Sequence, residues 1–436
     1  MNTVSTMRSP KRRILAKNSR ASWFRYYAGF SEGFVEDTIA DLDLSNGAIL
    51  LDPWLGGGTT SQVATAKGYR IRGYDLNPAM LLVAKARTLA TSAANQIPGL
   101  TAAIFRRYER NVKNDKLSPP AIEPLEQWLK PAAARTFRLL ERSVAAIVSE
   151  RDASLTSPIW RYADRASAIL AFFYVGLFRA LRHFISGFQS SNPTWIKISD
   201  GKGRVHLSPG KIVHCLRKEI ETLLRTLRSE TQIIPVVRST ACVIKRSSSL
   251  QLPLSSDSVD AVISSPPYCT RIDYVRATLP ELAVIEYPNG DSIRDLREKM
   301  TGTPTINKNQ HHVSAGWGST CSRVLSAVER HPSKASVTYY LKYYRQYFAS
   351  VYASLCEIDR VLKRSGRCVL VVQDSYYKDV QIDLPLIFVE MANGLEWCLH
   401  KKVDFHVKQT LAGINPDVKK YRNVFQATES VLWFSK

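Results

Sequence analysis

The chain has 436 residues, 45% hydrophobic and 22% charged, which suits one large elaborated domain or two and excludes a disordered protein over most of its length. Its 60 Lys and Arg against 38 Asp and Glu leave a net charge of +22, which points to a polyanionic partner, nucleic acid before an anionic membrane surface. No stretch reaches the roughly 18 apolar residues of a spanning helix, and the N-terminus shows no apolar signal segment.

Residues 1–31 hold Arg8, Lys11, Arg12, Arg13, Lys17, Arg20 and Arg25 and no acid. They read either as an arm that follows phosphates or as a solvated tail. A helix is predicted from Ser31, which can cap the first turn, with Phe34, Val35, Ile39 and Leu42 as its apolar stripe. Asn46-Gly47 breaks it. A short strand over 48–51 runs into Asp52-Pro53-Trp54-Leu55-Gly56-Gly57-Gly58-Thr59-Thr60. A helix to Lys67 follows, stopped by Gly68; a second strand over 69–74 leads to Asp75, and a second helix covers 78–89. This βαβα start implies a parallel sheet with helices on its faces.

The alternation then stops. Residues 91–235 read mostly as helices, over 120–129, 131–150, 163–188 and 211–228, with a loop over 189–210 that carries Trp195. The apolar run 166–178 reads as a buried helix. Strands resume at 241–245 and 259–264, and the second runs straight into Ser265-Pro266-Pro267-Tyr268. Residues 289–334 are polar and loop-like. Leu341, Tyr344, Phe348, Val351, Leu355, Ile358 and Leu362 then recur at helical spacing, with Lys363-Arg364-Ser365-Gly366 as the helix end. A strand over 367–372, a helix over 384–393 and strands over 398–407 and 430–434 close the fold. The cysteines (Cys215, Cys242, Cys269, Cys321, Cys356, Cys368, Cys398) form no CxxC pair, and the histidines have no ligand spacing. A reduced cytosolic protein with no disulfide framework and no metal site is expected.

The glycine-rich turn lies where parallel strands present their carboxyl ends to ligands. Glycine there permits positive φ and close approach of the backbone. It is neither a Walker loop nor a GxGxxG. Asp75 ends the next strand, where an acid commonly holds ribose hydroxyls, so the pair suits an adenosine-containing cofactor.

Ser265-Pro266-Pro267-Tyr268 is more specific. Two prolines make a rigid loop that lacks N–H donors. Ser265 adds a hydroxyl and Tyr268 an aromatic face. This suits a planar base with an exocyclic amine: the amine donates to the Ser265 oxygen and the Pro266 carbonyl while Tyr268 stacks on the ring. Two acceptors aimed at its hydrogens favour a pyramidal nitrogen whose lone pair can attack the methyl of a sulfonium. Catalysis would then rest on orientation and preorganised electrostatics. A base inside a duplex must be flipped out to reach such a pocket.

Together, these two motifs resemble the site-specific DNA amino-methyltransferases that use S-adenosylmethionine, and in particular the cytosine-N4-specific enzymes with their Ser-Pro-Pro-Tyr loop. The resemblance extends to Trp23-Phe24-Arg25-Tyr26-Tyr27-Ala28-Gly29-Phe30, Gly73-Tyr74-Asp75-Leu76-Asn77-Pro78, Arg271-Ile272-Asp273-Tyr274 and Arg360-Val361-Leu362-Lys363-Arg364-Ser365-Gly366. It implies a Rossmann-like α/β methyltransferase sheet with a large, mainly helical insertion. Asp52, Trp54, Gly56, Gly58, Thr59, Asp75 and Tyr27 would bind S-adenosylmethionine. Ser265, Pro266, Pro267 and Tyr268 would act on the base. Two departures stand out: Trp54 replaces the usual Phe, and Ser247-Ser248-Ser249 stands where an acid often reads the adenine ring.

The implied division is a basic arm (1–21), a cofactor half (22–95), a helical target-recognition insertion (96–236) and a base-binding half (237–436) with a polar insertion at 288–337. Trp195, Lys197, Lys202 and Arg204 in the first insertion, and Lys308, Asn309, Gln310 and His312 in the second, are candidate base readers. The expected substrate is double-stranded DNA. The expected setting is the cytoplasm and nucleoid, with a cognate restriction endonuclease or other defence enzyme as a partner and no membrane. Adenine N6, an RNA amine, or a catalytically silent DNA-binding relative remain as alternatives. No Pro-Cys dipeptide is present, which disfavours a cytosine-C5 enzyme, and there is no nuclease signature.

Overall fold

Strands that are apolar along their whole length must be covered on both faces. The centre of this molecule, a computed structural model, is built from such strands. Residues 7–11, 19–25, 29–114, 122–149, 158–190, 192, 194–230, 233–238, 240–306, 311–407 and 427–436 are described. The strands are β1 (Ile49–Asp52), β2 (Arg70–Asp75), β3 (Cys242–Arg246), β4 (Val259–Ser264), β5 (Leu362–Gln373), β6 (Ser375–Tyr377), β7 (Val380–Ile382), β8 (Cys398–Val407) and β9 (Ala427–Ser435). Seven form one sheet in the order β3-β2-β1-β4-β5-β9-β8, and β6 and β7 pair separately. The strands β1 to β5 run parallel, while β9 is antiparallel to both its neighbours. This mixed, mainly parallel sheet is consistent with the Rossmann-like methyltransferase arrangement that the motifs imply.

The helices are α1 (Glu32–Leu42), α2 (Thr59–Ala66), α3 (Pro78–Arg87), α4 (Ile97–Lys113), α5 (Pro131–Val148), α6 (Ala168–Phe184), α7 (Pro209–Ser229), α8 (Tyr274–Ala277), α9 (Leu279–Val284), α10 (Asp291–Lys299), α11 (Gly318–Arg330), α12 (Leu341–Val361) and α13 (Leu384–Asn393). Successive strand residues point to opposite faces. Leu50, Ile263, Val371 and Val431 pack with Phe34 and Val35 of α1 and Val63 of α2. Leu51, Val262, Leu370 and Leu432 pack with α11, α12 and α13. Local signals start the helices as expected: Ser31 Oγ accepts from Phe34 N at 3.2 Å, and Asn77 Oδ1 accepts from Ala79 N at 3.0 Å.

The helical segment between β2 and β3 shares a core with the sheet's own elements. Met80 and Val83 of α3, the buried face of α6, and Leu282 and Val284 of α9 belong to one apolar cluster. Buried charges add to this. Arg138 pairs with Glu123 at 2.7 Å and donates to the carbonyls of Ala283 and Val284 at 3.0 and 2.7 Å. Arg182 pairs with Glu281 at 2.7 Å. Removing one partner of such a buried pair costs about 3–5 kcal/mol, because the other charge stays buried. The segment after Ser-Pro-Pro-Tyr is therefore fixed to the insertion.

The structure departs from the sequence reading in four places. The polar stretch 289–334 contains α10 and α11, and α11 buries Cys321, Val324, Leu325 and Val328. Lys363-Arg364-Ser365-Gly366 follows the end of α12 at Val361 as expected, but β5 begins before it: Leu362 pairs with Val259, Lys363 pairs with Asp260 (2.6 Å), and the strand register resumes at Arg367 against Ala261. Of the predicted helix 120–129, only a short 3₁₀ turn forms, Pro124–Gln127, and 115–121 lie outside the described residues. Two of the N-terminal cations are part of the fold rather than free. Arg8 pairs with Asp37 at 2.6 Å, and the fully buried Arg20 pairs with Glu230 at 2.7 Å. Arg12, Arg13 and Lys17 lie outside the described residues.

Candidate active site

The strand order reverses between β1 and β4, and such a switch point opens a crevice beyond the carboxyl ends of the strands. The two ends are joined by one hydrogen bond, from Ser264 Oγ to Asp52 Oδ1 at 2.6 Å. Above them lies a cavity of about 800 Å³, counting the part open to solvent. Asp52, Trp54, Gly56, Thr59 and Asp75 line it together with Ser265, Pro266, Pro267 and Tyr268. Residues of two loops more than 180 positions apart thus face one space. Tyr27 lies outside the described residues, though Gly29 and Phe30 beside it line the cavity.

The glycine loop is held from three sides. Gly56 (φ +47°) donates its N–H to Asp75 Oδ2 at 2.9 Å, and Asn77 N donates to Asp75 Oδ1 at 2.9 Å. Arg87, fully buried on α3, donates to the Gly57 carbonyl at 2.7 Å and to the carbonyls of Ala21 and Phe24 at 3.2 and 3.0 Å. It ties the loop to the segment that precedes the sheet. Thr59 Oγ1 donates to the Phe30 carbonyl at 3.5 Å. Nothing in the local sequence marked Arg87, because these partners are backbone carbonyls brought close by the fold.

Gly58 is not among the residues that line the cavity. A Cβ there would stand 2.5 Å from the Ala84 Cβ, and φ is +74°. Glycine is required here so that α2 can start beside α3.

Burial pushes the carboxyls of Asp52 and Asp75 up to about 6, against the hydrogen bonds from Ser264 and from the backbone that favour their charged forms. The two acids also raise the cost of each other's charge, as the Asp75 effect on Asp52 shows. A cation between them would relieve that cost. The Trp54 indole N–H is buried without a partner. Ser247, Ser248 and Ser249 also line the cavity, next to Asp75 across β2 and β3.

In the Ser-Pro-Pro-Tyr loop each group has a settled role. Ser265 Oγ donates to the Val371 carbonyl at 3.0 Å, so its proton is committed, and the same hydroxyl also meets that of Tyr268. Tyr347 OH donates to the Pro267 carbonyl at 2.8 Å. The Pro266 carbonyl has no hydrogen-bond partner among the described residues. Tyr268 OH donates to Glu429 Oε1 at 2.6 Å, and burial beside that carboxylate raises the phenol well above its ordinary value. Glu429, on β9, is 7% exposed, its other oxygen is buried unpaired, and burial raises its pKa. Sequence reading missed Glu429; only the pairing of β9 with β5, Gln373 against Glu429, brings it there.

The candidate base readers are scattered. Trp195 is 40% exposed and lies under the Arg276 guanidinium at 3.8 Å. Arg204 approaches Glu126 at 3.6 Å, and Lys197 and Lys202 are exposed. His312 is exposed, and Lys308, Asn309 and Gln310 lie outside the described residues. Among the described residues, no group of three or more His, Cys, Asp or Glu could hold a metal ion, and no helix is long and apolar enough to cross a membrane.

The chain is similar to Type II methyltransferase M.BsoBI of Geobacillus stearothermophilus, with 27% identity over 310 residues, 66% of this chain and 57% of that protein. It therefore spans little more than half the length of that relative. Type II methyltransferase M.AvaI, from Nostoc sp. (strain PCC 7120) and from Anabaena variabilis, is 21% identical over 406 residues, 87% of this chain and 79% of the relative. No family model and no solved structure matches the chain.

Proposed function

We propose that this chain is a DNA methyltransferase that transfers a methyl group from S-adenosylmethionine to the exocyclic N4 amine of cytosine at a specific site in double-stranded DNA. One observation carries this reading: Ser265, whose proton goes to Val371, and Pro266, whose carbonyl has no hydrogen-bond partner among the described residues, line the same cavity as the buried pair Asp52 and Asp75. The name Type II methyltransferase, shared by its relatives, supports methyl transfer; a restriction or other defence enzyme as partner and a cytoplasmic setting belong to the same proposal. The charge of +22 supports DNA as the partner.

The cavity fits the cofactor in its donor set. S-adenosylmethionine, when bound, supplies an electrophilic methyl on a cationic sulfonium. Asp52, Trp54, Gly56, Thr59 and Asp75 would hold it, with the two acids supplying negative charge and Trp54 an aromatic face. The cytosine amine would donate its two hydrogens to Ser265 Oγ and the Pro266 carbonyl. That frees its lone pair from the ring, and the nitrogen loses one proton as it gains the methyl. Tyr268 would stack on the extruded base, with its ring fixed through Glu429. These groups are in place before reaction, so they act by orientation and preorganised electrostatics.

Incubation of the purified protein with methyl-labelled cofactor and either duplex DNA or RNA of the same sequence tests the reading. Label should enter the duplex only. Label in RNA, or in neither, would contradict it.

A further inference from the structure

The segment that follows Ser-Pro-Pro-Tyr carries two arginines whose charges the fold leaves open. Between them in sequence stands Tyr274, which lines the cavity. Arg271 is exposed and sits at φ +57°, a conformation that costs an ordinary residue about 1–2 kcal/mol. Its backbone N–H donates to Tyr343 OH at 3.2 Å. Its guanidinium lies 4.7 Å from the Tyr340 ring centre and donates to the Tyr340 hydroxyl at 2.9 Å. Arg276 lies over Trp195 at 3.8 Å, and its Nε is buried without a partner.

The nearby acid is already engaged. Asp273 caps α8, accepting from the Arg276 backbone N–H at 2.9 Å, and its other oxygen pairs with Arg297 at 2.7 Å. Among the described residues, neither the Arg271 nor the Arg276 guanidinium has a carboxylate within ion-pair distance. Burial pulls the Arg276 guanidinium below its ordinary value, against the Asp273 charge, which raises it, and with the Arg297 charge, which lowers it. An arginine held on an aromatic face with no acid in ion-pair range has its stem and plane fixed and keeps terminal N–H donors beyond the one that Arg271 gives to Tyr340. That is an arrangement for an incoming planar or tetrahedral oxyanion. The backbone at Arg271 is bent at a cost that packing against Tyr343 holds in place, as expected of a positioned functional side chain.

We propose that Arg271 and Arg276 hold phosphates of the DNA strand next to the nucleotide extruded into the cavity. Trp195 then brings the helical insertion into this contact by supporting Arg276. The proposal rests on the DNA-methyltransferase reading and adds to it the place where the strand is gripped. Phosphate contacts set register and orientation and carry no sequence information, so the two arginines act on every DNA sequence alike.

The test uses the whole protein and a fluorescent duplex, with affinity measured by anisotropy over a range of salt. Each neutralised phosphate contributes about 0.9 to the slope of log K against log salt. Arg271→Gln and Arg276→Gln should each lower the slope by about that amount, and the double variant by about twice it, with cofactor affinity unchanged. Arg271→Lys and Arg276→Lys keep the charge and should restore the slope. Gln variants with the wild-type slope would overturn the proposal. So would a slope lost equally in the Gln and Lys variants, since that would assign the arginines to packing. A wild-type protein that binds no DNA would instead contradict the functional reading itself.

Discussion

Ser265 gives its only proton to the Val371 carbonyl, 3.0 Å away on β5. The hydroxyl therefore meets the cavity as an acceptor, which is the role a reacting amine requires. Ser265→Ala should leave cofactor affinity nearly intact and cut turnover roughly 10²-fold or more, the scale for losing one positioned transition-state contact. Equilibrium binding of labelled cofactor and single-turnover rates check this. A variant that stops binding cofactor, with turnover per bound cofactor unchanged, would assign Ser265 to the other ligand.

Tyr268 and Glu429 should be coupled. Tyr268→Phe keeps the ring for stacking but strands a buried carboxylate, so it should cost about 1–3 kcal/mol of stability. Adding Glu429→Leu removes the stranded group and should recover much of that loss. Thermal melts of the two single variants and the double variant close the cycle. Additive losses would show that the hydrogen bond carries no coupling.

The paired acids predict a pH dependence with opposite signs in the free and bound protein. Asp52 and Asp75 have raised pKa values, about 6 for each. In the free protein their contribution to stability is full below about pH 4, the ordinary carboxyl value, and is lost as pH rises through about 6. A cationic cofactor favours the ionised acids, so its affinity should rise over that same interval, with protons released on binding near pH 6. Calorimetry in buffers of different ionisation enthalpy measures the release. Affinity that is flat from pH 5 to 8 would remove the two acids from the cofactor site. Asp75→Asn should weaken binding and flatten the profile.

Gly58 and Gly68 separate backbone strain from crowding. Both have positive φ, +74° and +81°, but only Gly58 faces a neighbour, Ala84. Gly68→Ala should cost about 1–2 kcal/mol, the strain alone. Gly58→Ala should cost distinctly more in a denaturant titration. Equal losses would mean that α3 yields freely to the new methyl group.

What could be read in the sequence was the chemistry carried by contiguous residues. Asp52 to Gly57 with Thr59, Asp75, and Ser265 to Tyr268 each sit at or just beyond the end of a recognisable strand, and the structure brings them to one cavity. Long-range partners left no local mark: Glu429 is 161 positions from Tyr268, and Arg87 holds the carbonyls of Gly57, Ala21 and Phe24. Helix α11 did leave one, since Cys321, Val324, Leu325 and Val328 have helical spacing, but a polar background hid it. Lys363-Arg364-Ser365-Gly366 has the local character of a helix end and does follow the last turn of α12, but its place at the irregular start of β5 left no local mark. Gly58 carries a packing role against Ala84 that the motif alone did not show.

The most direct test is the identity of the methylated base. DNA from cells expressing the protein, in a host that lacks its own DNA methylation, would be digested to nucleosides and analysed by mass. The account predicts N4-methyldeoxycytidine, absent when Ser265→Ala replaces the wild type. N6-methyldeoxyadenosine in its place, or unmodified DNA from an expressed and cofactor-binding protein, would contradict it.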